Sequence, residues 1–416
     1  MNLFADRLRN TIQQGTLTII DRDGAAETFG SGEPRATMRF TDGKALPRLL
    51  LAPELMLGQL YMDRRWELEA GTLEDLLQIL MRNFPDAERR RGWRRHLIRL
   101  RQPLQQWNGL QISRRNVETH YNLDETLFRA FLDRDMHYSC AYFPSGEEAD
   151  LDTAQQAKCE HIARKLLLRP GQKVLDIGCG WGSLAMYLAE KADVSVTGLT
   201  LSPEQKRVAD QRVAERRLQD RVRILLEDYR EHTEVYDRVV SVGMFEHVGV
   251  PYYRRYFGTL HRSLVPDGIG LVHTIGRTGP PAVTNSWIRQ HIFPGGYVPA
   301  LSEVMPAVEN AGLVTADIEV LRMHYAFTLA AWQARFQAQR SRFVESKGER
   351  FCRLWEFYLA ASEAAFRWRD LVVFQLQLGR ENAVVPTTRD YLYQGERTAD
   401  APTHADRSLA RDRGGA

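Results

Sequence analysis

Between residues 174 and 275 the chain repeats one pattern: a short apolar run, a turn, then polar and apolar positions at helical spacing. Apolar runs at 174–177, 194–198, 222–226, 238–242 and 269–275 predict strands, and the spacing at 203–217 and 252–264 predicts helices between them. Strands apolar on both faces that alternate with helices predict an α/β domain, a parallel sheet covered on both sides. Helical patterns at 328–346 and 349–368 then precede a late strand at 371–378. Ahead of this domain, a β-branched strand at 16–20, a turn at Asp23-Gly24, a strand at 36–40 and helical spacing at 73–81 predict a small α+β unit. The expected organisation is an N-terminal unit over 1–81, a connector over 82–116, the larger domain over 117–397 and a tail from 398.

Composition narrows the class. The 416 residues are 44% hydrophobic and 26% charged, the balance of a globular chain with a full core. No apolar run approaches the ~18 residues of a spanning helix; the best, 49–62, is broken by Pro53 and Glu54. Residues 1–10 carry Asp6 and two arginines but no apolar signal core, so neither secretion nor membrane insertion is expected. Cysteines 140, 159, 179 and 352 lack metal-like spacing, as expected of free thiols in a reducing cytoplasm, and no metal site is expected. The net charge of +3 hides one feature. Ten arginines and only two acids, Asp86 and Glu88, lie between Arg82 and Arg115, interleaved with Trp93 and Trp107. Such a run attracts phosphates of nucleic acid or of anionic lipid, or is simply a solvated helical face.

The chemistry concentrates after the first strand of the larger domain. Asp176-Ile177-Gly178-Cys179-Gly180-Trp181-Gly182 places an acid at a strand tip and three glycines in the turn that follows. A dinucleotide site would want an acid ~20 residues on, at the next strand tip. That position reads Gly198-Leu199-Thr200-Leu201-Ser202, and the glycine spacing departs from the dinucleotide pattern. S-adenosylmethionine fits better, because it has no pyrophosphate. Asp176, Gly178, Gly180 and Gly182 suit its methionine end, Thr200 and Gln205 its ribose, and Glu227 or Asp228 its adenine. Ser202-Pro203-Glu204-Gln205 also reads as a helix start, with Ser202 as cap.

Several strings together resemble the cyclopropane-fatty-acyl-phospholipid synthase and mycolic acid cyclopropane synthase family. They are His120-Tyr121-Asn122-Leu123, Phe131-Leu132-Asp133, Met136-His137-Tyr138-Ser139-Cys140-Ala141-Tyr142-Phe143, the Asp176 glycine loop, Met244-Phe245-Glu246-His247-Val248-Gly249, His273-Thr274-Ile275-Gly276, Phe293-Pro294-Gly295-Gly296 and Thr328-Leu329-Ala330-Ala331-Trp332. The resemblance implies a Rossmann-like class I methyltransferase fold and transfer of a methylene from S-adenosylmethionine to a cis double bond of an acyl chain. It adds Tyr138 and Ser139 to the cofactor site, with Ser202 among the residues after the second strand. It also implies a bicarbonate ion held by Cys140, Glu246, His273, Tyr325 and the backbone around Ile275. An alkene is a poor nucleophile, so the reaction needs the sulfonium methyl aligned with it and water excluded. Attack leaves a carbocation, and a base must then remove a proton for the ring to close. Taken singly, each of these residues reads as core packing; their joint order favours the functional reading. Many relatives carry a Cys where this chain has Ser362, so no nucleophilic role is expected there.

The region before 117 bears on the substrate. Relatives that act on carrier-bound mycolic precursors look like the catalytic domain alone, whereas those acting on membrane phospholipids resemble this chain in having an N-terminal domain. The expected partners are unsaturated phospholipid chains and the anionic inner face of the cell membrane, with a homodimer implied by resemblance. Phe143, Phe245, Phe293 and Tyr297 are candidate walls of an acyl tunnel, and 293–297 a candidate lid. An enzyme resolving the cation into a methyl or methylene branch is the nearest rival. A nucleic-acid methyltransferase is disfavoured, because Gly243-Met244-Phe245-Glu246 does not match the motif that its base-flipping pocket needs.

Overall fold

The computed structural model describes residues 2–84 and 125–393. Most of the arginine-rich connector, the His120-Tyr121-Asn122-Leu123 string and the tail lie outside the described residues.

The first body is a four-stranded sheet in the order β2-β1-β3-β4, from β1 (Gly15–Ile20), β2 (Ala26–Ser31), β3 (Arg35–Phe40) and β4 (Trp66–Ala70). Alternation decides its faces: Ala36, Met38 and Phe40 of β3 are buried and their neighbours are not. The two edge strands, Ala-Glu-Thr-Phe-Gly-Ser and Trp-Glu-Leu-Glu-Ala, carry charged, exposed positions, which is why their apolar pattern is faint. Helices α1 (Asn2–Thr11), α2 (Ala45–Leu51), α3 (Pro53–Met62) and α4 (Leu73–Asn83) belong to this body. Thr72 and Asp75 cap α4 reciprocally, and the buried Leu73, Leu76, Leu77 and Ile79 line one face of it.

The second body carries α5 (Glu125–Phe131) and α6 (Leu151–Leu166), then a seven-stranded sheet. Its strands are β5 (Lys173–Ile177), β6 (Ser195–Thr200), β7 (Val222–Leu226), β8 (Tyr236–Val242), β9 (Leu264–Arg277), β10 (Val314–Leu321) and β11 (Leu371–Gly379), in the order β10-β11-β9-β8-β5-β6-β7. The five strands β9-β8-β5-β6-β7 pair in parallel. The late strand β11 inserts antiparallel between β9 and β10, so the sheet is mixed at one side instead of wholly parallel. Helices α7 (Ser183–Ala192), α8 (Pro203–Glu215), α9 (Tyr253–Arg262), α10 (Ser286–His291) and α11 (Leu301–Asn310) complete the crossovers. The predicted helix at 328–346 is two helices, α12 (His324–Ala338) and α13 (Arg340–Lys347), separated at Gln339. The last, α14 (Glu349–Trp368), runs over the expected residues.

The two bodies meet on α14. Gly58 of α3 approaches so closely that a Cβ there would stand 2.5 Å from the Phe357 ring and 2.6 Å from the Trp287 indole. Arg353, buried, donates to the carbonyls of Tyr61 at 2.6 Å and Trp66 at 3.3 Å, pairs with Glu67 at 2.9 Å, and lies 3.9 Å from the Tyr61 ring centre. Replacing it by Met would leave those groups without their donor. Arg353→Met is therefore expected to cost about 2–3 kcal/mol, read as a lower urea midpoint with unchanged slope. Among the described residues no helix is long and apolar enough to cross a membrane.

Candidate functional site

A cleft opens at the carboxyl ends of β5, β6, β7 and β8, where ligands of open parallel sheets bind. The chain leaves β5 through the glycine loop. Gly178 takes φ +84°, and a Cβ there would meet Met244 at 2.8 Å. Gly180, at φ +54°, has nothing within 4 Å of its Cβ position, so that side of the loop is open. Gly182 caps α7 with φ +75° and lies outside the cleft lining.

Asp176 lies at the floor, 2% exposed, and its Oδ2 has no hydrogen-bond partner. Burial pushes its carboxyl up to about 7, against the pull of Lys158 and His137. A buried carboxylate oxygen without a donor suits a cationic ligand group. At the tip of β6, the Thr200 hydroxyl donates to Gln205 Oε1 at 2.8 Å and accepts the Ser202 N–H at 3.2 Å. Thr200 and Gln205 line the cleft. Ser202 does not; its Oγ caps α8 by accepting the Gln205 N–H at 3.2 Å. Glu227 and Asp228 line the far end. Glu227 Oε1 is 3.1 Å from His232 Nδ1, whereas Asp228 accepts from Arg230 at 2.8 Å and 2.6 Å. Tyr138 and Ser139 complete the lining, Tyr138 with its hydroxyl 2.8 Å from that of Tyr358.

A second group of buried polar atoms comes from β9, β11 and the turn after β8. Glu246, in a short 3-10 turn, accepts the Ile275 N–H on Oε1 at 2.6 Å, and its Oε2 has no partner. Burial raises its carboxyl to about 7. The backbone N–H of Ile275 is thus spent on aiming Glu246. His273 lies two residues before Ile275 on β9, opposite Gln375 of β11. Burial holds its imidazole down to about 3, so it is neutral. With the Gln375 amide nitrogen 3.1 Å from Nδ1, the ring proton sits on Nε2, and that donor has no partner. One unfilled donor and one unfilled acceptor fit a small oxyanion that carries one proton of its own. Cys140 and Tyr325 are buried against α12 and within it. Burial raises the Cys140 thiol, so it is an uncharged donor, given to the Ala141 carbonyl at 3.2 Å.

Among the charged lining residues, Lys158 and Arg230 escaped the sequence reading, and His137 entered it only as part of a motif string. Lys158 was signalled by its place at helical spacing on one face of α6 with the apolar Leu151 and Ile162, a face that also carries Gln155 and Lys165, all of them buried. His137 is 2.8 Å from Asp133 and 3.3 Å from the Cys159 thiol.

The family model for mycolic acid cyclopropane synthetase matches residues 110–376. The cyclopropane-fatty-acyl-phospholipid synthase of Escherichia coli K12 is 39% identical over 361 residues, 84% of this chain and 89% of that protein. A tuberculostearic acid methyltransferase of Mycobacterium tuberculosis is 36% identical over 389 residues, 90% of each. Among solved structures, the mycolic acid cyclopropane synthase CmaA1 complexed with SAH and CTAB superimposes with a TM-score of 0.60 at 36% identity, covering 64% of this chain and 97% of that one.

Proposed function

The chain belongs to the mycolic acid cyclopropane synthetase family of S-adenosylmethionine-dependent methyltransferases, and from that premise we propose that it cyclopropanates unsaturated acyl chains of membrane phospholipids. The observation that carries this reading is the buried pair of unfilled groups, Glu246 Oε2 and the Nε2–H of His273. A transferase that only methylates an acidic heteroatom has no need of them, whereas ring closure needs a proton acceptor in a dry site.

S-adenosylmethionine, when bound, supplies an electrophilic methyl on a sulfonium. Asp176 would face its ammonium, the open side of the glycine loop its methionine backbone, Thr200 and Gln205 its ribose, and Glu227 and Asp228 its adenosine end. A bicarbonate ion, held by Glu246, His273, Cys140 and Tyr325, would supply a proton acceptor. The residues themselves do three things. Tyr138, packed on Trp332 at 5.2 Å and bonded to Tyr358, keeps water from the methyl. The Ile275 N–H fixes the direction of Glu246. Glu246 and neutral His273 offer acceptor and donor at fixed places, which needs no reorganisation as charge develops. The N-terminal body and the arginine run support a phospholipid bilayer as the source of substrate, with peripheral attachment to the inner membrane face and a homodimer as further parts of the proposal.

The test is incubation of the full chain with vesicles of unsaturated, anionic phospholipid and methyl-labelled cofactor. A product that gains CH2 and loses its alkene signal is expected. A product that gains CH2 but keeps an alkene, as a methylene branch formed by proton loss does, overturns ring closure. That outcome is the alternative reading, a fatty-acyl methyltransferase that leaves a branch, and it is favoured by the 36% identity to the tuberculostearic acid methyltransferase along nine-tenths of both chains.

Cofactor binding has an expected pH dependence. Asp176 titrates near 7 because it is buried, and only its ionised form attracts a cation. Affinity should rise with pH up to about 7, by up to about tenfold per unit, and level off above it. Calorimetric titration across that range checks this.

A further inference from the structure

The end of the cleft floored by Asp176 contains a second buried ionisable group that the proposed reaction does not use. Lys158 projects from α6, is 1% exposed, and lines the same cleft as Asp176, Ser139 and Gly178. Its Nζ donates to Ser139 Oγ at 3.0 Å. An ammonium has three donors, and among the described residues no carboxylate lies within ion-pairing distance of this one. Buried charges ordinarily have a partner of opposite sign. Lys158 also pulls on the titration of Asp176, Asp133, His273 and Cys140, so all four lie within its electrostatic reach, while Asp133 already accepts from His137.

Two opposite charges, each short of a partner, therefore stand at one end of a cleft. The ligand end that complements such a pair is an α-amino acid, with its ammonium toward the carboxylate and its carboxylate toward the ammonium. We infer that Lys158 binds the α-carboxylate of the cofactor's methionine end, so that Asp176 and Lys158 together recognise it as a zwitterion. The inference rests on the reading that the cofactor is S-adenosylmethionine, and it deepens it. It also accounts for a difficulty. The cofactor carries a sulfonium, and a buried lysine beside a cation would repel it. A carboxylate held by Lys158 would offset that repulsion, and Ser139, which accepts from Nζ, would orient the lysine. Lys158 is here a binding residue with no part in proton transfer.

Decarboxylated S-adenosylmethionine, which lacks only that carboxylate, is the probe. Calorimetric titration of the full chain should give an affinity for it about ten- to a hundredfold below that for S-adenosylmethionine, the range of a charge-assisted hydrogen bond. In Lys158→Met the two ligands should bind about equally, and in Lys158→Arg the discrimination should return. Should the Met variant not fold, Lys158→Gln makes the same test, since its amide can still donate to Ser139 without a charge. Equal binding of both ligands to the wild-type chain overturns the inference while leaving the cofactor assignment standing. So does an uncharged variant that weakens both ligands by the same factor, the mark of a structural lysine. Binding of neither ligand to the wild-type chain overturns the cofactor assignment itself, and the inference with it.

Discussion

Glu246→Gln should slow lipid modification by about 10²- to 10⁴-fold, the range of a positioned proton-transfer group, with cofactor affinity close to wild type. The substitution is nearly isosteric. Its amide oxygen can still accept the Ile275 N–H that now reaches Oε1 at 2.6 Å, so the turn after β8 keeps its shape. What changes is the second position, where an oxygen without a partner becomes a donor nitrogen. That nitrogen, like the unpartnered Nε2–H of His273, is a donor, and neither could take a proton. In the wild-type chain at saturating cofactor, where the titration of Asp176 no longer limits binding, the rate should also climb with pH through about 7, where the buried Glu246 carboxyl titrates, and this limb should vanish in the variant. Turnover of methyl-labelled cofactor with lipid vesicles at several pH values measures both. A variant at the wild-type rate would remove Glu246 from the chemistry.

Asp176→Asn is expected to weaken cofactor binding by about 10²- to 10³-fold, the scale of losing one partner of a desolvated charge pair, and at the same time to stabilise the empty chain. The sign follows from the titration. Burial lifts this carboxyl from its ordinary value near ~4 to about 7, so the folded chain holds a proton that the unfolded chain has released. Stability from this group is complete below about pH 4 and is lost as pH rises through about 7, amounting to roughly 2–4 kcal/mol by pH 8. Asparagine has no charge to bury and escapes that loss. Thermal unfolding without cofactor should therefore show the variant above wild type at pH 8 and close to it near pH 4. A variant less stable than wild type at pH 8 would mean that Asp176 is held by contacts within the chain. Sites built for ligands commonly carry such a cost.

The parts of the site that were legible in the sequence are those whose chemistry is local. The glycine loop needs positive φ within a few residues of Asp176, and Ser202-Pro203 announces the start of α8; both are visible without tertiary structure. His273 was legible as a residue, but its protonation was not. It depends on Gln375, which meets it only because β11 inserts against β9 in one register. Lys158 was missed because a lysine among apolar positions on a helix face reads as an exposed residue slightly out of place. Its polar partner, Ser139, comes from another segment and meets it only in the folded chain. In the first body, β2 and β4 were missed because edge strands are rich in polar residues, whereas the inner strand β3 and most of the inner β1 were apparent.

Helix α14 has a consequence for how the molecule handles force. It carries Arg353, which grips the first body, and five residues later Tyr358, whose hydroxyl meets Tyr138 in the cleft. No glycine or proline interrupts its twenty residues, so it has no joint at which to bend. A push or pull delivered to the small sheet travels along this rod to the aromatic wall of the cleft, Tyr138 stacked on Trp332, with no hinge between to absorb it.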